Sequence, residues 1–137
     1  TFAYANLRLD PETIDASGTA SLRVDVTNCG ARGGDEVVQL YVSESRGDEV
    51  RPRLELKGFQ RVHIRAGARV TVTFEVDAAQ LGRHHTGLGH AVRPGVYRFS
   101  VGPSSADLPL STILTIDDPN GPVQQEKVFF SRSAVTP

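Results

Sequence analysis

Apolar and polar side chains alternate along most of this chain with a period of two, which is typical of β-strands. The stretch from Glu36 to Val42 is central, because no Gly or Pro interrupts it. One of its faces is entirely apolar and consists of Val38, Leu40 and Val42. The other face is mixed and consists of Val37, Gln39 and Tyr41. The stretch therefore predicts an inner strand whose second face is only partly exposed to water.

Further strands are predicted before and after the central one. They cover residues 2–9, 20–28, 54–64, 69–77, 96–101 and 108–116, and Ala78 to Leu81 adds a helical turn. The connections carry turn signals such as Asp10-Pro11, Ala66-Gly67 and Pro94-Gly95. These features predict an all-β fold, a fibronectin type III/immunoglobulin-like antiparallel β-sandwich of about seven strands. A closed barrel is the less supported alternative. Residues 1–117 are expected to form the sandwich, and residues 118–137 a C-terminal extension with one further strand and a tail.

Two residues interrupt the alternation. Phe59 falls on the polar parity of a stretch in which Leu54, Leu56, Val62 and Ile64 are predicted to face the core. A bulge at the neighbouring Gly58 would turn Phe59 inward. Otherwise Phe59 is an exposed anchor for a partner surface.

The second interruption is Ile113, which does not share parity with Leu110 and Leu114. It predicts a register change within the last long strand. The connection between residues 28 and 34 is rich in glycine, and its Gly30, Gly33 and Gly34 are expected to supply positive φ angles.

Composition narrows the function classes. The 137 residues fit one domain, and 15 basic against 16 acidic residues leave a net charge of −1. No global field therefore favours nucleic acid, and no apolar run approaches the roughly 20 residues that cross a bilayer. Cys29 is the single cysteine, which excludes an internal disulfide. The N-terminus lacks an initiator Met and a signal pattern, so the chain is expected to be a processed piece.

No catalytic, metal or cofactor site emerges from the residues. The adjacent carboxylates Asp35/Glu36 and Asp48/Glu49 do not predict two carboxyl groups facing each other across a cleft, as glycoside hydrolysis requires. The histidines of the loop 82–93 lack the further ligands that complete a zinc tetrahedron. These histidines are His84, His85 and His90, and whether they contact anything is left open.

Binding of a sugar or nucleic acid is not favoured either. The chain has no Trp, and all three tyrosines lie on predicted strands, where Tyr97 fits a sandwich corner better than a sugar platform. We expect no independent small-molecule substrate. The face with Val37, Gln39 and Tyr41 is instead a candidate domain interface, against the alternative of ordinary packing beneath a loop. Arg51 and Arg53, in an arginine-rich hairpin, are candidates for its charged rim, and Phe59 for its anchor.

Four segments resemble the fibronectin type III-like domain of family 3 glycoside hydrolases, the β-glucosidases, β-xylosidases and relatives. They are Val26-Thr27-Asn28-x-Gly30-x-Arg32-x-Gly34-x-Glu36-Val37-Val38-Gln39-Leu40-Tyr41-Val42, Arg51-Pro52, Leu54-x-Leu56-Lys57-Gly58-Phe59 and Ala66-Gly67. The resemblance covers roughly residues 1 to 117. It departs from the family at Ala91-Val92-Arg93, where members often carry a Trp before the Pro-Gly turn, and in a longer segment after Asp117.

The resemblance implies a role without catalysis by this chain. The family's catalytic Asp and acid/base lie on other domains, and neither motif occurs here. What it implies is an accessory domain that packs against and stabilises the catalytic domains of its parent chain, which hydrolyses β-glucosides or β-xylosides. The alternative is a free-standing bacterial adhesion or surface-recognition β-sandwich module.

Overall fold

The computed structural model describes residues 1–15, 17–45, 54–81, 83–85, 89–92, 95–117, 123–124 and 131–137. Nearly all the regular structure in these residues is extended. The strands are β1 (Phe2–Asp10), β2 (Thr13–Ile14), β3 (Thr19–Asn28), β4 (Gly34–Ser45), β5 (Glu55–Ile64), β6 (Arg69–Asp77), β7 (Arg83–His85), β8 (Gly89–Val92), β9 (Gly95–Gly102), β10 (Leu110–Ile116), β11 (Val123–Gln124) and β12 (Arg132–Thr136). A 3₁₀ helix at Ala78–Leu81 confirms the predicted helical turn.

The strands form two large sheets and a small one. One large sheet has the order β1-β3-β6-β12 and the other the order β2-β10-β9-β4-β5. Pairing within the two large sheets is antiparallel except where the short β2 runs parallel to β10. The small sheet has the order β11-β8-β7. This architecture confirms the predicted all-β sandwich.

The core lies between the two large sheets and is built from the predicted inward positions. Val38 and Leu40 of β4 and Phe99 of β9 are fully buried on one side. Leu22 of β3 and Phe74 of β6 are fully buried on the other. Because side chains in a strand alternate between faces, each buried row leaves a second row on the outside of its sheet.

Asn28 links two connections at one end of the sandwich. Its side chain is buried, and Nδ2 donates to the carbonyl oxygens of Arg32 (2.8 Å) and Ile64 (2.9 Å), while Oδ1 accepts from the backbone N–H of Gly30 (2.9 Å). The prediction of positive φ angles at the glycines of this connection is wrong. Among the described residues, φ is positive at Asn6, Gly67 and Gly95. Side-chain hydrogen bonds shape the connection instead.

Residues 132–136 form a strand where a tail was expected. β12 pairs with the free edge of β6, and Ser131 N–H donates to the carbonyl oxygen of Lys57 on β5, in the opposite sheet. Gln80 of the 3₁₀ helix joins the same corner, since it accepts from Ser131 Oγ (2.9 Å) and donates to the Lys57 carbonyl (3.1 Å). The final residues thus tie the two sheets together. A division of the chain at residue 117 stays a prediction.

Candidate docking surface

The outer row of β4 carries three of the predicted interface residues. Val37, Gln39 and Tyr41 alternate with the buried Val38 and Leu40 and point away from the core. β4 lies between β5 and β9, so this row is in the interior of the sheet rather than on an edge. Because both edges of β4 are paired, another surface can contact this partly apolar row only by packing onto the outer face of the sheet.

Phe59 joins this row, although the bulge beside it was expected to turn it inward. The ladder between β4 and β5 shifts so that Leu40 lies opposite Gly58 and Tyr41 opposite Leu56, which leaves Lys57 as an extra residue. The bulge is therefore present, but Phe59 lies opposite Gln39 and is 52% exposed.

The core has no room for Phe59 because another ring occupies the place. Gly58 faces inward, and a Cβ there would lie 3.0 Å from Cδ1 of Phe74. The Phe74 ring thus covers Gly58 directly. The bulge also turns Leu56 outward, opposite Tyr41, so the prediction that Leu56 faces the core is wrong.

The apolar surface continues on the far side of β4. Val96 of β9 and Ile113 of β10 are both exposed, and β10 pairs with β9 in unbroken register, so the predicted register change at Ile113 is wrong. We call the outward residues of β4, β5, β9 and β10 the exposed sheet face. Its apolar members are Val37, Leu56, Phe59, Val96 and Ile113. Among the described residues, the one other exposed large hydrophobic residue is Leu54, directly before β5. It is 42% exposed, so the prediction that Leu54 faces the core is also wrong.

The outside of the other large sheet has a different character. Its outward residues are mostly polar, with no large hydrophobic residue exposed among those described, and several bond across the strands, as Ser21 Oγ does to Glu75 (2.9 Å) and Thr71 Oγ1 to Asp25 (2.8 Å). Asp25 also accepts from Asn6 Nδ2 at 2.9 Å. Such a surface gains nothing by leaving water. The two outer surfaces of the sandwich are thus unequal, and only one favours burial.

Two polar side chains of the exposed sheet face, Tyr41 and Gln39, already have hydrogen bonds within the chain. The Tyr41 hydroxyl donates to Gln39 Oε1 at 2.6 Å, and Gln39 Nε2 donates to the carbonyl oxygen of Pro103 at 2.8 Å. A polar group that has its hydrogen bond within the chain loses little when water is removed. These two side chains therefore do not oppose the docking of another surface.

A charged cluster stands at one end of the face. Asp35 binds His63 Nδ1 at 2.6 Å and Arg61 Nη2 at 2.8 Å. The hydrogen bond from His63, followed by that from Arg61, holds the pKa of Asp35 below its ordinary value. Arg61 is thus engaged within the chain. Arg51 and Arg53, the predicted charged rim, lie outside the described residues.

The adjacent carboxylates of β4 do not converge. Asp35 points to the outside, whereas Glu36 accepts a hydrogen bond from the Tyr4 hydroxyl on β1 of the opposite sheet at 3.1 Å. Burial of the phenol, reinforced by the negative charge of Glu36, raises the pKa of Tyr4 far above its ordinary value. The two side chains therefore lie on opposite faces of the strand. Asp48 and Glu49 lie outside the described residues.

The histidines of the loop 82–93 lie on the hairpin of β7 and β8, where His84 is opposite His90 in the backbone register. The side chains of His84, His85 and His90 are outside the described part of the structure. Within the part that is described, no three His, Cys, Asp or Glu residues gather around a common point that suits a metal ion. The described residues also contain no helix with the length and apolar character needed to cross a membrane.

The sandwich and its strand order define the class to which this chain belongs, an Fn3-like all-β domain. The profile of the fibronectin type III-like domain family matches residues 36–105, from the start of the β4 outer row through β9. The chain belongs to this family.

The similar proteins are larger enzymes. A β-xylosidase of Formosa agariphila is 39% identical over 113 residues, which are 82% of this chain and 16% of that protein. Thermostable β-glucosidase B of Acetivibrio thermocellus is 32% identical over 98% of this chain and 18% of its own length. The chain thus spans less than a fifth of these relatives.

Solved structures give the same result. A β-glucosidase from Erythrobacter marinus superposes with a TM-score of 0.76 at 31% identity, over 85% of this chain and 15% of that chain. The GH3 β-glucosidase of Bifidobacterium adolescentis superposes with a TM-score of 0.75 at 31% identity, over 85% of this chain and 17% of its own. The chain is therefore the fibronectin type III-like domain of the family 3 glycoside hydrolase type, an accessory unit that matches a small portion of such proteins.

Proposed function

We propose that this chain has no catalytic activity of its own and that its exposed sheet face docks against the catalytic domains of a family 3 glycoside hydrolase. The parent enzyme would hydrolyse β-glucosides or β-xylosides, as the names of the similar enzymes suggest. The observation that carries the proposal is the gathering of exposed large hydrophobic residues on the outside of one sheet, while the outside of the other is polar. Exposed apolar side chains concentrated on one side of a domain are typical of an interface.

The apolar residues are sufficient to hold a domain in place within one chain. Full burial of a Val, Leu, Ile or Phe side chain contributes about 1.5–3 kcal/mol. The five residues are 37–52% exposed, so covering them supplies on the order of 5 kcal/mol. Because domains of one chain are already linked, docking does not incur the full loss of translational and rotational freedom that separate partners lose.

The test uses the full-length enzyme that contains this domain. Phe59→Asp places a charge in the apolar half of the face next to Gln39, whereas the control Ala134→Asp places one on β12, on the polar side of the sandwich. We expect Phe59→Asp to speed proteolytic release of the domain and to separate its melting transition from that of the catalytic domains. Ala134→Asp should change neither. Equal behaviour of the two variants would contradict docking through this face.

Catalysis is tested separately with the purified 137-residue chain. It is incubated with aryl β-glucoside and aryl β-xyloside substrates, with the full-length enzyme as the positive control. Release of the aryl group by the chain at no more than the buffer rate is expected. Hydrolysis that survives further purification and disappears when Asp35 or Glu36 is replaced would refute the non-catalytic assignment.

A further inference from the structure

Arg98 lies within the apolar part of the exposed sheet face. It belongs to β9, and the register places it between Ser43 of β4 and Ile113 of β10. Val96 precedes it by one outward position on the same strand. In the strand register Arg98 therefore lies between β4 and β10, with the exposed apolar residues Val96 and Ile113 beside it. Its side chain is exposed.

Arg98 differs from the other charged groups of this face. Asp35 pairs with Arg61 and is hydrogen-bonded to His63 at the far end of β4 and β5. Within the part of the chain that the structure describes, Arg98 has no ion pair and no side-chain hydrogen bond. Among the described residues of this face, Arg98 is thus a cation without a partner in the chain, and it lies on the same face as apolar side chains and the hydrogen-bonded Tyr41 and Gln39.

Docking of the whole face would remove that water. An isolated charge taken out of water loses more free energy than the surrounding apolar contacts return, unless an opposite charge meets it with good geometry. A guanidinium presents a planar fork of donors that matches a carboxylate through two parallel hydrogen bonds. A surface that covers Arg98 must therefore supply an opposite charge, and a carboxylate fits the guanidinium best.

We infer that the surface which covers the exposed sheet face is another domain of the same chain and that it carries a carboxylate side chain opposite Arg98, within an apolar surround. The inference rests on the proposed docking function. The occupant is a linked domain because the chain covers only 16–18% of the length of the relatives named above, so most of such a protein is available to cover the face. The ion pair would fix the orientation of the domain, which apolar contacts alone do not specify.

The experiment compares four variants of the full-length enzyme: Arg98→Glu, Arg98→Lys, Phe59→Asp and Arg132→Glu. Arg132 is the control, because it is an exposed arginine at the start of β12 in the other sheet. We expect Arg98→Glu to raise the rate of proteolytic release of the domain at least tenfold, and Arg98→Lys to raise it less, since lysine keeps the charge but not the fork. Arg132→Glu should stay within twofold of the wild type.

The identity of the acidic partner follows from charge reversal. In the Arg98→Glu background, each exposed Asp or Glu of the catalytic domains is replaced in turn by Lys, and the one that returns release to within threefold of the wild type is the partner. A pair that is covered in the docked state should retain its effect in 0.5 M NaCl, where exposed charges farther apart than a few ångströms are screened.

The outcomes separate the two proposals. If Phe59→Asp releases the domain and Arg98→Glu behaves as Arg132→Glu does, docking stands and the carboxylate inference is overturned. If neither variant releases it, both fail. If both variants instead change the sedimentation of the enzyme without changing release, a second copy covers the face, and the inference of a linked domain is overturned.

Discussion

Replacement of Asn28 by Ala should destabilise the domain more than any single change at its surface. The Asn28 side chain is 2% exposed and makes three hydrogen bonds. Two of them hold the loop between β3 and β4, and the third joins this loop to the end of β5. In Asn28→Ala the carbonyl oxygens of Arg32 and Ile64 and the N–H of Gly30 lose their side-chain partner. Buried polar groups without a partner lose the free energy of hydration and gain nothing in exchange.

The magnitude follows from the number of bonds. Each contributes a net ~1 kcal/mol, so the free energy of unfolding should fall by about 3 kcal/mol. This is a large fraction of the roughly 5–15 kcal/mol that stabilises a typical domain. For a domain of this size the same loss lowers the melting temperature by on the order of 10 °C.

Asn28→Asp separates the donor from the acceptor function of this side chain. The carboxylate keeps the bond to Gly30 N–H but turns an oxygen toward the carbonyls of Arg32 and Ile64, which lie 2.8 and 2.9 Å from Asn28 Nδ2. Desolvation and these carbonyls favour the protonated form, so the pKa of the introduced carboxyl should be raised in the folded state above the ~3.9 of an unfolded chain. Its destabilisation relative to the wild type should therefore shrink as the pH falls from 7 toward 4.

Urea unfolding followed by circular dichroism measures both variants, with Ala31→Ser in the same connection as the exposed control. The slope m should stay constant and the midpoint should move, as expected for a change in stability alone. A loss below about 1 kcal/mol for Asn28→Ala would contradict the reasoning, because that is the net contribution of one hydrogen bond rather than three. A pH-independent difference for Asn28→Asp would contradict the electrostatic part.

Two further predictions concern stability. Gly58→Ala should lower the free energy of unfolding in urea by about 1–3 kcal/mol, because the new Cβ would press on Phe74. Gly67→Ala has open space around its Cβ and should lower it only by the ~1 kcal/mol that a positive φ costs. Equal losses in the two variants would contradict the predicted clash. The hydrogen bond from Asn6 holds the pKa of Asp25 below its ordinary value, so the stability that Asp25 contributes is present above pH ~4 and is lost as the pH falls further. Asp25→Asn should therefore flatten the acid limb of the curve of unfolding midpoint against pH, and an unchanged limb would exclude this residue as its source.

The sandwich could be predicted because its signal is local. Leu22, Val24 and Val26 on β3 and Tyr97, Phe99 and Val101 on β9 are buried as their alternation indicates. A period of two depends only on neighbours along the strand, and it survives whatever the strand pairs with.

The limits of local reasoning appear where a partner strand decides the structure. Residues 132–136 have little hydrophobic character and become a strand because the edge of β6 is free to pair with them. Thr13 and Ile14 lie outside every predicted strand and yet pair with β10 of the other sheet. The parity of Ile113 predicted a register change, whereas the unbroken ladder with β9 simply places its side chain outside. The outward position of Val96 was available from the alternation around Tyr97.

The exposed sheet face itself depends on one extra residue. Leu56 and Phe59 are three positions apart, so regular alternation would place them on opposite sides of β5. The bulge at Lys57 adds one residue to the count, and both side chains therefore face out. Periodicity cannot reveal this, because a bulge is defined by the pairing of two strands.

This bulge is firmly held. The Lys57 carbonyl accepts hydrogen bonds from Gln80 Nε2 and from Ser131 N–H, and its ammonium group pairs with Glu55 at 3.2 Å while the residue is 6% exposed. The 3₁₀ helix and the C-terminal segment thus both fix the irregularity that turns two large apolar side chains outward. Turning Leu56 outward leaves a large apolar side chain 37% exposed, which by itself adds nothing to the stability of the sheet. Coverage of Leu56 by a further surface would be favourable, and this is the physical reason for the proposal that the domain docks through the exposed sheet face rather than through the polar one.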